Sequence, residues 1–387
     1  MRTEAGEGGG RVTVGTKRFD IEPVLGDSLP AAASFLDRWR VEPNAAWSPP
    51  PAARAGSPTM LRRLQWLLLE HPLAAGVSEH GLCIRDGSGV IVGLLLSFPS
   101  AFRMGDRRIL AMGSGSYFVE PRARTLGFYL FKRHLTCPGY AFFFSTTCNA
   151  TSGAMWAMLG AEAAPHAETE YVLPLDLEVM LPEFLAGRTA GAWAAGLARV
   201  AGGGANAVWR RVVRRSAGLI AEPCRDWEKL AALSSRHRPA EWITTDRSPA
   251  FLQWRYGPGS PTHAAEIGVV RDRRGQEGWF ALGNTVRGHR GQVQGCVLLD
   301  AAWPRDTMGF DDVLAAVSRF VASRAHAICF RPRLGVDHHA GGRWIVRRRR
   351  EPSVFAIAGK GRGREALASL DLVVADGDGG LTYSGSW

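Results

Sequence analysis

Apolar and polar positions alternate with two periods along this chain. Residues 58–70 place Met60, Leu64, Leu67 and Leu68 on one helical face, the spacing of an amphipathic helix. Gly81 to Arg85 and Val90 to Phe98 read as strands, joined by the hairpin turn Asp86-Gly87-Ser88-Gly89. The first half is completed by a strand over Phe19 to Leu25 and a helix over Leu29 to Arg40. Strand character from Arg107 through Val119 is followed by a helix at 124–135 and a strand at Ala141 to Thr147. A helix at 150–159 and a closing strand at Glu170 to Leu175 come last. The second half repeats this plan. Helices are expected at Asp226 to Ser235 and after Ser248, with Pro249 suited to a first helical position. Strands follow at His263 to Val270, Gly278 to Val286 and Gln292 to Leu299, then a helix at Phe310 to Ser323 and a strand at Ala327 to Arg331. The prediction is an α/β (α+β) chain of two similar domains, each a mixed sheet flanked by helices.

Composition sets the boundaries. At 387 residues and 46% hydrophobic, the chain can bury two cores. A Gly- and Glu-rich start predicts a disordered tail over residues 1–15, a first domain over 16–186 and a second over 222–387. The Ala-, Gly- and Arg-rich stretch 187–221 reads as a linker, with helices broken at Gly202-Gly203-Gly204. No apolar run is long enough for a transmembrane helix, and the N-terminus lacks the apolar region of a secretory signal. Six dispersed cysteines without a C-x-x-C pair predict reduced thiols and a cytoplasmic setting.

Net charge is +11, which favours polyanionic partners. The excess concentrates at Arg210-Arg211, Arg214-Arg215 and Arg347 to Arg350. A solvated basic face and an anion-binding surface are both consistent with such runs. The basic amphipathic segment from Trp209 to Arg215 reads either as a packed linker helix or as a contact with an anionic surface.

The chemistry concentrates between Val119 and Ala161. The string Val119-Glu120-Pro121-Arg122-Ala123-Arg124-Thr125-Leu126-Gly127-Phe128-Tyr129 is followed by Asn149 opening a helix, Trp156 at its eighth position, and Leu159-Gly160-Ala161. The pair resembles the two signature segments of the GNAT (N-acetyltransferase) superfamily. Phe-Leu-Gln-Trp-Arg-Tyr at 251–256 is similar to the start of the second half in tandem-GNAT proteins.

This resemblance implies an acyltransferase that takes acyl-CoA or acetyl-CoA as co-substrate, with no metal. Arg124, Gly127, Phe128 and Tyr129 would meet the pyrophosphate, where backbone N–H groups and a helix N-terminus favour an anion. Phe118 and Val119 would offer N–H groups to the pantetheine arm and the thioester carbonyl. Asn149 and Trp156 would complete the cofactor site. Two positions depart from the family: Tyr129 replaces a small residue, and Trp156 replaces a tyrosine that protonates the leaving thiolate, which indole cannot do. Glu120 is the nearest candidate general base, and Tyr117 is a second catalytic candidate. Each has a structural reading too: Glu120 as a surface charge near a helix start, Asn149 as an N-cap. Cys148 reads as a nucleophile or a core thiol. Asp246, Arg255 and Tyr256 read as an acceptor cleft or as packing, and His338-His339 as a loop pair lacking further metal ligands.

The acceptor would be an amine or hydroxyl of a small metabolite. An acidic acyl carrier protein could replace CoA, because both present a phosphopantetheine arm. Two other readings stand beside this one. An aminoacyl-tRNA-dependent enzyme resembling the Fem-type transferases would bind tRNA in a salt-sensitive manner. A catalytically dead GNAT scaffold would bind no CoA.

Overall fold

A computed structural model describes residues 3–5, 10–14, 17–41, 59–165, 167–186, 192–214, 218–261, 266–287, 293–322, 324–331, 345–349, 352–359, 367–372 and 376. The proline-rich stretch 48–51 and His338-His339 lie outside the described residues, as does the tail 375–379 apart from Asp376. The chain opens with strands β1 (Thr3–Ala5), β2 (Gly10–Val14) and β3 (Lys17–Pro23). The first two form a ladder with β3, where composition predicts a disordered tail. Helices α1 (Leu29–Val41) and α2 (Met60–Leu68) follow, then β4 (Gly81–Asp86), β5 (Ile91–Met104) and β6 (Arg107–Val119). Next come α3 (Arg124–His134), β7 (Phe142–Ser145), α4 (Ala150–Met158) and β8 (Glu162–Ala163).

The chain continues through β9 (Thr169–Pro174), α5 (Leu177–Ala186) and α6 (Ala192–Val213). Then follow β10 (Ile220–Pro223), α7 (Trp227–Arg236), β11 (Ile243–Thr245) and α8 (Pro249–Tyr256). The antiparallel strands β12 (Glu266–Arg271), β13 (Glu277–Arg287) and β14 (Val293–Ala302) precede α9 (Phe310–Phe320) and β15 (Ala327–Phe330). Last come β16 (Val346–Arg349), β17 (Phe355–Ala358) and β18 (Leu370–Asp371).

Local chemistry explains many of these boundaries. Thr59, Asn149, Asp226 and Ser248 each cap a helix by accepting a first-turn N–H. Pro249 takes the first turn of α8, where its missing N–H costs nothing. The β4–β5 turn is held by Asp86 Oδ1, which accepts from the N–H groups of Ser88 and Val90 at 3.0 and 3.2 Å.

The linker expectation fails in one respect. Helix α6 runs unbroken through Gly202-Gly203-Gly204. A Cβ on Gly202 would lie 2.5 Å from the carbonyl oxygen of Leu177 at the start of α5, so a glycine there permits the close approach of the two helices. The end of α6 is secured by Arg319 of α9, whose guanidinium donates to the Arg214 carbonyl.

Two compact units result. The first comprises residues 1–167, 240–246 and 351–382, the second 168–239, 247–350 and 383–387. In the first sheet β3-β4-β5-β6 is antiparallel, β7 adds parallel to β6, and β17 lies between β7 and β8. In the second sheet β10-β12-β13-β14 is antiparallel, β15 adds parallel to β14, and β9 lies between β15 and β16. The units therefore follow one plan; the first takes its interior strand β17 from near the end of the chain, and the second takes β9 from the end of the expected first domain. The strand over 169–174 does not close the sheet that precedes it. All six of its residues are buried, and Tyr171 and Leu173 belong to the core formed with Phe280, Leu314 and Ile328. In return, Phe355 joins the first core, with Leu126, Phe131, Phe143 and Trp156.

Candidate active site

In the first unit, β6 pairs with β7 only from Ala111–Phe142 to Gly113–Phe144. Beyond that point β6 continues to Val119 with no strand on this edge among the described residues. On the other edge the register with β5 shifts between Leu94 and Leu96, so β6 carries an extra residue at Ser116-Tyr117. Ser116 sits at φ 50°, a left-handed conformation that costs a non-glycine residue on the order of 1 kcal/mol or more. A split between strands, with a strained bulge at its mouth, is a place where backbone polar groups are withheld from the sheet.

The orientation of those groups follows from alternation. The Glu120 N–H donates to the Val92 carbonyl of β5 at 2.8 Å. Alternate residues of a strand face the same edge, so Phe118 also faces β5 and Val119 faces the open edge. Of the two expected backbone donors, Val119 alone is turned to the opening.

Helix α3 starts a few residues beyond this edge. Its N-cap is Ala123, which contributes no side-chain cap, and its first turn contains no acidic residue. Arg124 is exposed at the first helical position, and the described residues offer it no carboxylate. A 3-10 turn, Pro121–Ala123, leads into the helix and takes the Arg124 N–H on the Pro121 carbonyl. No side chain caps either start, which leaves the positive end open to an external anion. The corresponding helix of the second unit differs: α9 carries Asp311 and Asp312 in its first turn. Burial, with the neighbouring charge of Asp312, raises the Asp311 pKa. Strand β14 also outruns its pairing with β15 and bulges at Leu299, so the split recurs without the anion-binding end.

The remaining predicted residues fall as follows. Gly127 is a glycine because of Tyr117: a Cβ would lie 2.1 Å from the Tyr117 hydroxyl. Burial, opposed by the Arg124 charge, pushes the Tyr117 phenol up to about 12, so it is a protonated donor at neutral pH and not a base. Tyr129 packs its ring against the first core, in the second turn of α3, and Phe128 is exposed. Asn149 and Ser152 form a reciprocal capping box at 2.9 and 3.0 Å. Trp156 is 1% exposed and contacts Phe131 with ring centroids 5.6 Å apart, so it is a core residue. Phe131 in turn packs at a tilt against the Tyr117 ring, with centroids 4.6 Å apart. Glu120 accepts from Arg122 Nε at 2.7 Å and lies 4.0 Å from Arg38, so its carboxylate is engaged. Arg122 also holds Asp86 at 3.0 Å.

Other candidates separate. Asp246 pairs with Arg103 at 3.0 Å in the first unit. Arg255 and Tyr256 are buried in the second, where Asp300 binds Arg247 at 2.7 Å and accepts from the Tyr256 hydroxyl at 3.4 Å. Cys148 is buried beside the Asn149 cap. No group of three or more metal-ligating side chains occurs among the described residues. Two features escaped the sequence. The bulge at Ser116 had one signal, the flexible Gly113-x-Gly115 just before it. The buried pair of Ser97 Oγ and His134 Nδ1, 2.8 Å apart, had none, since a strand and a helix distant in sequence supply it.

No protein-family model matches the sequence, and no curated protein does. Solved structures match its fold. A GCN5-related N-acetyltransferase from Anabaena variabilis aligns at a TM-score of 0.52 and 12% identity, over 88% of this chain and 72% of that one. A conserved Enterococcus faecalis protein of unknown function, a probable N-acyltransferase, aligns at 0.54 and 9%, over 88% and 72%. Saccharomyces cerevisiae N-myristoyltransferase, with bound myristoyl-CoA and inhibitors, aligns at 0.52 and 11%, over 94% and 88%. The chain has the GNAT fold. Of the site's parts, the start of α3 lies within the stretch from Val119 to Ala161 that carries the sequence resemblance, and the end of the β6–β7 pairing and the β6 bulge lie just before it. The double GNAT plan is spread over most of the chain, and its second copy has a helix start occupied by its own carboxylates.

Proposed function

We propose that the first unit binds the phosphopantetheine thioester of acyl-CoA and transfers its acyl group to an amine or hydroxyl of a small acceptor. The observation that carries this reading is the open β6 edge leading to an uncapped, acid-free α3, set against Asp311 and Asp312 at the matching place in the second unit. The Val119 N–H and its neighbours on the edge would hold the arm and polarise the thioester carbonyl. The start of α3, with Arg124, would hold the pyrophosphate. With Trp156 unable to serve as an acid, the Tyr117 phenol, protonated and lying against Gly127 in the first turn of α3, would be the donor to the departing thiolate. Glu120 would accept the acceptor's proton once Arg122 releases it. The fold relatives support acyl transfer in general. Myristoyl-CoA bound to the yeast relative favours CoA over a carrier-bound donor.

Calorimetric titration with coenzyme A and acyl-CoAs tests the proposal. Thr125→Asp places a carboxylate in the exposed first turn of α3, where it competes with the phosphates while favouring the helix. We expect donor affinity to fall at least about tenfold with an unchanged or higher Tm. Absence of binding by coenzyme A, acyl-CoA and an acylated carrier protein alike sinks the proposal.

A further inference from the structure

The two lips of the β6–β7 fork are rich in hydroxyls. One lip carries Gly113, Ser114, Gly115 and Ser116, and the other carries Ser145 and Thr146. All four hydroxyl residues are buried, in a part of the sheet otherwise packed with the rings of Phe98, Phe102, Phe143 and Phe144. Two polar atoms here have no hydrogen-bond partner among the described residues. The first is Thr146 Oγ1, in a residue 1% exposed that stands two positions beyond the last β6–β7 pair. The second is His134 Nε2, in a residue 2% exposed. Its Nδ1 is turned to Ser97 of β5, so Nε2, on the far side of the ring, is turned away from β5. The His134 ring packs against Phe143 of β7, and alternation puts Thr146 on the opposite face from Phe143. The fork is therefore flanked on both faces by a buried polar atom that has lost its water without gaining a partner.

We propose that the fork receives a short acyl group carrying its own hydroxyl, which pairs with Thr146 Oγ1. This rests on the donor-site reading above. An arm that runs from the start of α3 along the open edge of β6 passes from Val119 to Ser114 in about 16 Å, and so brings the atoms beyond the thioester to these lips. A plain hydrocarbon tail would leave the Thr146 hydroxyl unpaired. A charged tail is disfavoured as well, since Ser114, Ser116, Ser145, Thr146 and the neutral His134 supply no opposite charge. A hydroxyl both donates and accepts, as Thr146 does, so the pair forms whichever of the two gives the proton. His134 Nε2 keeps the opposite face of the fork polar too.

Calorimetric titration of the full chain tests it, with coenzyme A, butyryl-CoA and each enantiomer of 3-hydroxybutyryl-CoA as ligands. One enantiomer is expected to bind about tenfold more tightly than butyryl-CoA. Thr146→Val keeps the shape of the side chain and removes its unpaired hydroxyl, so its Tm should be unchanged or higher. That variant should bind coenzyme A and butyryl-CoA as before and lose the preference for the hydroxylated ligand. The idea is overturned if neither enantiomer binds more tightly than butyryl-CoA, as when the fork holds only water, or if the preference survives in Thr146→Val. It is also overturned if the variant weakens butyryl-CoA and 3-hydroxybutyryl-CoA equally, which would place the thioester carbonyl on Thr146. Coenzyme A binding without any preference sinks this inference alone, whereas no binding by any of the ligands sinks the donor-site reading with it.

Discussion

Gly127 and Tyr117 form a coupled pair, and the coupling can be measured. Gly127→Ala drives a methyl group into the Tyr117 hydroxyl and should cost about 1–3 kcal/mol by overpacking. In a Tyr117→Phe background the nearest remaining contacts are 3.3 Å, and most of that cost should vanish. Thermal melts of the four chains in the cycle give the coupling energy. His134 offers a second test. Burial pushes its imidazole down to about 3 from an ordinary 6.5, and its Nε2 has no hydrogen-bond partner among the described residues. The folded state therefore prefers the neutral ring. The stability this brings is complete above pH 6.5 and is lost as pH falls toward 3, because the unfolded chain takes up the proton first. Urea midpoints should fall over that range, less steeply in His134→Gln. At this scale the sequence was readable where a residue acts on its own neighbours, as Asn149 does in capping α4. It was unreadable where a role depends on distant packing. Trp156 stands at the family's catalytic position, yet only the Phe131 and His134 rings around it show that it is core.

Elements were more legible than residues, because a period survives any tertiary context. The meanders, the helices that follow them and the Pro249 start of α8 were all predictable from spacing and caps. Glycine misled the reading of α6. Three in a row suggest a break, but packing against α5 overrides propensity. The three positions should respond differently. Gly204→Ala, with nothing within 4 Å, should stabilise by up to about 1 kcal/mol through helix propensity. Gly202→Ala should destabilise despite the same gain, since the obstacle is Leu177 backbone, which cannot step aside. Chemical denaturation of the two single variants decides the sign. Strand β16 carries arginines at three of its four positions on the outer edge of its sheet, which discourages further strand addition.

For the whole molecule, two similar halves in sequence do not become two self-sufficient bodies. Each unit's sheet contains a strand from the other domain expected of the sequence, β17 in the first and β9 in the second, and no local pattern encodes which sheet a buried strand will join. A chain ending at residue 350 keeps every described strand of the second sheet but loses β17 and Phe355 from the first. Limited proteolysis should then cut rapidly within 81–158 and spare β12 to β15. Equal protection of both regions would contradict the exchange. The same arrangement constrains how the protein is made. β7 leaves the ribosome roughly two hundred residues before its neighbour β17, a delay on the order of 10–40 s at typical elongation rates. Throughout that interval a nascent, aromatic strand edge waits without its partner. Translation speed and chaperone supply, more than equilibrium stability, should therefore govern how much of this protein a cell can accumulate.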